Sequence, residues 1–109
     1  MKISIITVCL NSEKTIRDTI TSVLSQNFAD VEYIIIDGGS KDKTLSIVHE
    51  YEDSIDKIVS EPDEGLYDAM NKGISFASGE VIGILNSDDF FENDNIIKVV
   101  VNAFEQNPT

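Results

Sequence analysis

Tyr33-Ile34-Ile35-Ile36-Asp37-Gly38-Gly39-Ser40 is the stretch on which the fold turns. Four consecutive apolar residues suit a strand covered on both faces, the usual condition of a parallel sheet flanked by helices. The run stops at Asp37-Gly38-Gly39, which is turn chemistry, and Ser40 follows in position to cap a helix. Upstream, Ile16, Ile20, Val23, Leu24 and Phe28 recur at steps of three and four, which predicts an amphipathic helix. Asn11 or Ser12 is placed to cap it, with Glu13 in a first turn where the helix dipole favours an acid. Before that helix, Ile3–Cys9 is a β-rich run. Downstream, Leu45, Val48 and Tyr51 mark a second helix and residues 56–60 a short strand. Leu66, Ala69, Met70, Gly73, Ile74 and Ala77 mark a third helix, which stops at Ser78-Gly79. Residues 81–85 form a fourth strand, and Ile96, Ile97, Val100 and Phe104 a last helix that ends before Pro108. The alternation β-α-β-α-β-α-β-α predicts one α/β domain with a mainly parallel sheet and right-handed crossovers.

Composition narrows the function classes. The 109 residues carry 8 Lys+Arg against 20 Asp+Glu, a formal net charge of −12, and 41% are apolar. That apolar content supports a packed core, unlike a disordered acidic tail. The basic residues do not cluster, so the patch required to bind nucleic acid or an anionic membrane surface is missing. A phosphate ester bound to so negative a chain needs its repulsion offset, and a divalent cation is the natural means. One Cys and one His exclude a disulfide within the chain and a Cys/His zinc site. Oxygen-ligated Mg²⁺, Mn²⁺ and Ca²⁺ remain open. Met1-Lys2 ahead of an apolar run resembles the start of a signal peptide. The run is broken by Ser4 and Thr7, however, and followed by Asn11-Ser12-Glu13-Lys14 rather than a small-residue cleavage site, so it reads as a strand. No apolar stretch nears the ~20 residues that span a bilayer, and the expected location is the cytoplasm.

In open α/β sheets ligands bind beyond the carboxyl ends of the strands, near the point where strand order reverses. Four polar turns fall at those ends, at 7–11, 37–40, 61–65 and 86–89, and three of them carry carboxylates. Asp37 is placed either to accept hydrogen bonds from a base or ribose or simply to cap the following helix. Neither G-x-x-x-x-G-K nor G-x-G-x-x-G occurs, which removes the usual support for P-loop and dinucleotide chemistry. Asn86-Ser87-Asp88-Asp89 sets two adjacent carboxylates after a buried strand, and their mutual repulsion invites a cation, although a solvated turn is the plainer reading. Such a cation takes one or two carboxylates and completes its shell with water and substrate phosphates. Cys9 reads as a small buried hydrophobe, His49 as a surface helix residue, and Asp68 with Lys72 as a helix ion pair.

Four segments together resemble the N-terminal half of an inverting family 2 glycosyltransferase of the GT-A fold. They are Ile5-Ile6-Thr7-Val8-Cys9-Leu10-Asn11; Ile35-Ile36-Asp37-Gly38-Gly39-Ser40-Lys41-Asp42-Lys43-Thr44; Glu61-Pro62-Asp63-Glu64-Gly65-Leu66-Tyr67-Asp68-Ala69-Met70-Asn71-Lys72-Gly73-Ile74; and Ala77-Ser78-Gly79-Glu80 leading to Leu85-Asn86-Ser87-Asp88-Asp89. The resemblance implies a Rossmann-like three-layer sandwich, with residues 1–109 forming the nucleotide-sugar-binding part of a longer enzyme. It implies that Val8, Leu10 and Asn11 line the nucleotide pocket, that Asp37 contacts base or ribose, and that Asp63 approaches the nucleotide with Asn71 and Lys72 nearby. Asp88 matches the metal-binding acid of the family's D-x-D motif, holding Mn²⁺ or Mg²⁺ against the diphosphate, while Asn86 meets sugar or phosphate.

Two positions depart from the family pattern. Val8 and Leu10 stand where Pro and Tyr are frequent, and Asn86 stands for the first acid of D-x-D, leaving the metal to Asp88 with help from Asp89. The implied reaction carries a sugar, with uridine the expected base, to an acceptor glycan or lipid-linked sugar in bacterial polysaccharide or glycolipid assembly. The resemblance puts the catalytic base and acceptor site downstream, so these residues are expected to bind donor and metal without efficient transfer. The full-length enzyme is expected to sit at the inner face of the membrane, and a sheet edge left open is expected to favour self-association. A nucleotidyltransferase would want a glycine-rich basic loop at 7–11. A receiver-type Mg²⁺ switch would carry its acidic pair after the first strand, not the fourth. A purely structural or interaction domain is the third alternative.

Overall fold

The structure is a computed structural model that describes residues 1–106. Its elements are β1 (Ile3–Cys9), α1 (Ile16–Leu24), β2 (Val31–Asp37), α2 (Thr44–Glu50), a 3₁₀ turn (Glu52–Ser54), β3 (Lys57–Ser60), α3 (Leu66–Phe76), β4 (Val81–Ile84) and α4 (Ile96–Gln106). The four strands form one parallel sheet in the order β3-β2-β1-β4. The apolar run at 33–36 is extended at both ends because Val31 pairs with Ile3 and Asp37 with Cys9. Pro108, expected just past the last helix, lies outside the described residues.

Strand alternation divides the core in two. Ile3, Ile5, Cys9, Tyr33 and Ile35 face one side and pack with Ile16, Ile20 and Val23 of α1, Val48 of α2, and Ile97 and Val101 of α4. Ile6, Val8, Ile34 and Ile36 face the other and pack on Ala69 of α3. Growth from β1 to β3 runs one way across the sheet, and the return to β4 runs the other. A crossover of constant hand therefore lays α3 on the opposite face. Gly73 lets α3 come close, since a Cβ there would sit 2.4 Å from Ile6 Cγ2. The result is an α/β three-layer sandwich whose strand order reverses between β1 and β4.

Three local expectations are corrected. Neither Asn11 nor Ser12 caps α1, which begins at Ile16 behind a turn closed by the Thr15 and Ile16 amides on the Ser12 carbonyl, and its first-turn acid is Asp18, not Glu13. Ser40 does not cap α2, because its hydroxyl is spent on Asp37. The Asp42 carboxylate instead accepts the Thr44 N–H at 2.9 Å. On α4 the inward residues are Ile97 and Val101, whereas Val100 and Phe104 are exposed. The helix begins at Ile96 as expected and buries Ile97 of the expected stripe, but its inward face turns toward Val101 rather than Val100 and Phe104.

Candidate functional site

An open cleft of about 640 Å³ lies beyond the carboxyl ends of the strands, within the size range of small-molecule sites. Its floor is the β1 end and the turn after it, from Val8 to Thr15. One wall is 86–88, and the other is Asp42, Asp63, Gly65, Leu66 and Ala69. Of the residues singled out from sequence, Val8, Leu10, Asn11, Asp63, Asn86 and Asp88 are brought together here. Asp37, Asn71 and Asp89 are not on its lining, and Asn71 is exposed on α3.

The cleft is built by cross-links between turns. Asn11, in the left-handed region at φ 50°, donates its N–H to Ser40 Oγ at 2.8 Å and accepts the Lys41 N–H on Oδ1 at 2.8 Å. Behind this contact sits Asp37, fully buried. Its Oδ2 accepts the amides of Gly39 (3.2 Å) and Ser40 (3.0 Å) and the Ser60 hydroxyl (2.8 Å), while Oδ1 accepts the Ser40 hydroxyl. Asp37 thus ties the ends of β2 and β3 and, through Ser40, fixes Asn11. Burial pushes the Cys9 thiol far up and the adjacent Asp37 carboxylate adds to the effect, so Cys9 stays a protonated filler rather than a nucleophile. Asp42 feels burial raising its pKa. Hydrogen bonds from the Thr44 hydroxyl and from the Thr44 and Glu13 amides overcome that and hold it below the usual aspartate range.

The 86–89 turn is pinned from α1 by residues the sequence reading passed over. Thr19 Oγ donates to the Ser87 carbonyl at 2.9 Å and also to that of Asp89, and Ser22 Oγ accepts the Phe91 N–H at 3.1 Å. Gln26 bridges the Asn93 carbonyl and the Ile97 amide. The available signal was a polar row at 19, 22 and 26 running beside the apolar row at 16, 20 and 23. Ser12 and Ser87 join hydroxyl to hydroxyl at 2.7 Å, locking the β1 turn to the β4 turn. Asn86 Oδ1 is buried without a hydrogen-bond partner. Among the described residues no group of three or more His, Cys, Asp or Glu is arranged to hold a metal. The donor set therefore fits only a cation completed by substrate and water, with Asp88 on the cleft lining as the carboxylate that would hold it. It does not fit a closed protein cage. Among the described residues no helix is long and apolar enough to cross a membrane.

This sheet and its switch-point cleft are those of the N-terminal part of the GT-A glycosyltransferases. The chain belongs to glycosyl transferase family 2, whose family model matches residues 4–109. It is 36% identical over 108 residues to the poly-beta-1,6-N-acetyl-D-glucosamine synthase of Staphylococcus epidermidis, covering 97% of this chain and 26% of the synthase. Staphylococcus aureus TarS 1-349 in complex with UDP-GlcNAc superposes with a TM-score of 0.91 at 29% identity, over 99% of this chain and 32% of TarS. Glucosyl-3-phosphoglycerate synthase of Mycobacterium tuberculosis, in complex with Mn²⁺, UDP and phosphoglyceric acid, matches at 25% identity and a TM-score of 0.69, over 82% of this chain and 34% of that one. Against the curated relatives, the chain spans 26% to 43% of their length.

Proposed function

We propose that these residues are the donor-binding part of an inverting, metal-assisted glycosyltransferase that moves a sugar from a UDP-linked donor to an acceptor hydroxyl. The acceptor is a glycan or lipid-linked sugar, and the setting is polysaccharide or glycolipid biosynthesis in a bacterial cytoplasm, at the inner face of the membrane in the full-length enzyme. The observation that carries the reading is the juxtaposition of Asn86 and Asp88 with Asn11 and Asp63 around one cleft at the sheet's switch point. The UDP-GlcNAc bound by TarS and the polymer named for the staphylococcal synthase support the donor and the setting.

In such a transfer the acceptor oxygen attacks the anomeric carbon as the bond to the β-phosphate oxygen breaks. The electron pair leaves on the diphosphate, and the acceptor proton passes to a carboxylate base. A divalent cation at Asp88 supplies Lewis-acid stabilisation of the departing charge. Asn86 accepts a hydrogen bond from the sugar or from cation-bound water. Val8, Leu10, Asn11 and Asp63 bind the nucleoside, and Asp37 supports them from behind. Asn71 stands outside this assignment. The base and the acceptor site are assigned to residues beyond this donor part. The test is a thermal-shift panel of UDP, GDP, TDP and CDP with and without Mn²⁺, on the 109-residue chain and on Asp88→Asn. At about 100 times its dissociation constant a ligand stabilises by about 2.7 kcal/mol, or roughly ten degrees for a domain of this size. The expected result is a metal-dependent shift that Asp88→Asn abolishes. No shift with any nucleotide, or one indifferent to metal and to Asp88→Asn, overturns it.

A further inference from the structure

A second groove, of about 410 Å³, begins where the 86–89 turn ends. It is lined by Phe90 and by Asp18, Thr21, Ser22 and Ser25, and it shares no residue with the donor cleft. Steps of three and four put the four α1 residues on one face of that helix. The adjoining phenylalanines part company. Phe91 packs against the core, and Ser22 Oγ accepts its N–H at 3.1 Å, whereas Phe90 is 60% exposed. The groove therefore has a flat apolar face carried on a pinned backbone.

The helix wall offers acceptors only. Thr21 Oγ donates to the Arg17 carbonyl at 3.0 Å, Ser22 Oγ to that of Thr19 at 2.8 Å, and Ser25 Oγ to that of Ser22 at 3.4 Å. Each hydroxyl has spent its one hydrogen on the helix and has only lone pairs left to present. Asp18 adds an acceptor carboxylate that, among the described residues, meets no donor and no cation. No Lys or Arg lines the groove. Its complement is a ligand with a rim of donors, a flat face of C–H groups for the negative face of the ring, and no negative charge. A pyranose ring has that form. A nucleotide or an acidic sugar brings an anion that Asp18 and the negative chain repel.

We infer that this groove is an outlying subsite for a neutral glycan, with Phe90 stacking on a sugar ring and Asp18 accepting from its hydroxyls. The inference rests on the proposed function in one respect, since that reading brings a sugar chain to this turn. Asp88 on the cleft and Phe90 in the groove are two residues apart, at most about 7 Å of chain. A glycan held on Phe90 thus lies beside the donor site, while residues further along still place the reacting hydroxyl.

An NMR titration of the isotope-labelled 109-residue chain with an N-acetylglucosamine tetramer tests this, with a galacturonic acid tetramer as the anionic control. The neutral tetramer should bind in the millimolar range and shift the amides of residues 18, 21, 22, 25 and 90, and the anionic one should shift none of them. Phe90→Ala and Asp18→Asn should each weaken binding about three- to tenfold, and Phe90→Trp should restore it. Tyr67→Ala removes a ring that is 81% exposed outside both sites and should change nothing. UDP affinity in Mn²⁺ should be the same in all four variants. No binding of the neutral tetramer, shifts confined to other residues, equal binding of the anionic tetramer, or an equal loss in Tyr67→Ala overturns the inference. UDP binding without glycan binding sinks the groove alone, whereas glycan binding at these residues without UDP binding sinks the donor reading and leaves the groove standing.

Discussion

Replacing Asp37 separates a residue that holds the site from one that touches the ligand. The carboxylate is fully buried and accepts two backbone amides, Gly39 at 3.2 Å and Ser40 at 3.0 Å, together with the hydroxyls of Ser40 and Ser60. In Asp37→Ala the hydroxyls can rotate toward other partners, but the two amides are fixed by the turn. A buried group left unsatisfied costs about 1–3 kcal/mol, so the two amides alone predict a loss of about 2–6 kcal/mol, a large part of the 5–15 kcal/mol typical of a whole domain. Asp37→Asn retains an oxygen at the Oδ2 position for both amides and for Ser60. Its NH₂ then faces a Ser40 hydroxyl that already accepts the Asn11 N–H, and about 1–2 kcal/mol is lost. Urea unfolding followed by circular dichroism gives both values, provided the m-value is unchanged. Nucleotide affinity of folded Asp37→Asn should stay within about threefold of the parent. A cost below about 1 kcal/mol for Asp37→Ala would refute the organising role. Full stability with abolished nucleotide binding in Asp37→Asn would restore Asp37 as a ligand contact.

Gly73→Ala puts a methyl 2.4 Å from Ile6 Cγ2 and should cost about 1–3 kcal/mol by overpacking. In an Ile6→Ala background the same change should be close to neutral, and additive costs in that double-mutant cycle would contradict the contact. Glu32 is held below the usual glutamate range, first by the Ser78 N–H at 2.9 Å, with burial opposing, and then by the Ser4 and Ser78 hydroxyls and Lys2. Because its folded value is depressed, its contribution to stability is complete above the unfolded value of about 4.3 and fades as pH falls through the folded one. Glu32→Gln should therefore flatten the acid limb of a stability–pH curve, and an identical limb would be the contrary result. The open β4 edge, with Ile82 and Ile84 exposed at 40% and 37%, predicts self-association in sedimentation at high concentration. Ile82→Lys should reduce it, and a strictly monomeric parent would rule it out.

The fold was legible because apolar runs and turn residues were dense and consistent. Ile3–Cys9 and the 33–36 run could be read as strands from residue type alone, and the alternation with helices implied parallel pairing. Helix phasing and caps were less legible, because tertiary partners decide them. Ser40 has the chemistry of a cap, yet a buried carboxylate three residues earlier outbids the α2 amides for its hydroxyl. On α4 three consecutive valines leave the inward face undetermined by pattern, and contact with β1 and α1 selects Ile97 and Val101. The site was legible as a set of strand-end turns. What could not be read was depth. Asp37 and Asp63 both follow strands, and only the packing shows one enclosed by donors and the other with an oxygen left open.

Electrostatics gives Asn86 a physical reason. Glu13, Asp42, Asp63 and Asp88 line the cleft against Lys14 alone. At a Debye length near 8 Å, an approaching diphosphate senses this local excess more than the total charge of the chain. Under the proposed function a cation offsets these walls, with Asp88 the carboxylate assigned to it. Position 86 is different, because Asn86 Oδ1 is buried and unpartnered. A carboxylate in that place would be a buried charge whose folded state depends on a cation being present, whereas an unpaired amide oxygen costs only a few kcal/mol. Asparagine lets Ser12, Thr19 and Ser87 set the turn with the cation absent. Under the proposed function, the chain's own hydrogen bonds then set the geometry of this turn ahead of nucleotide and cation.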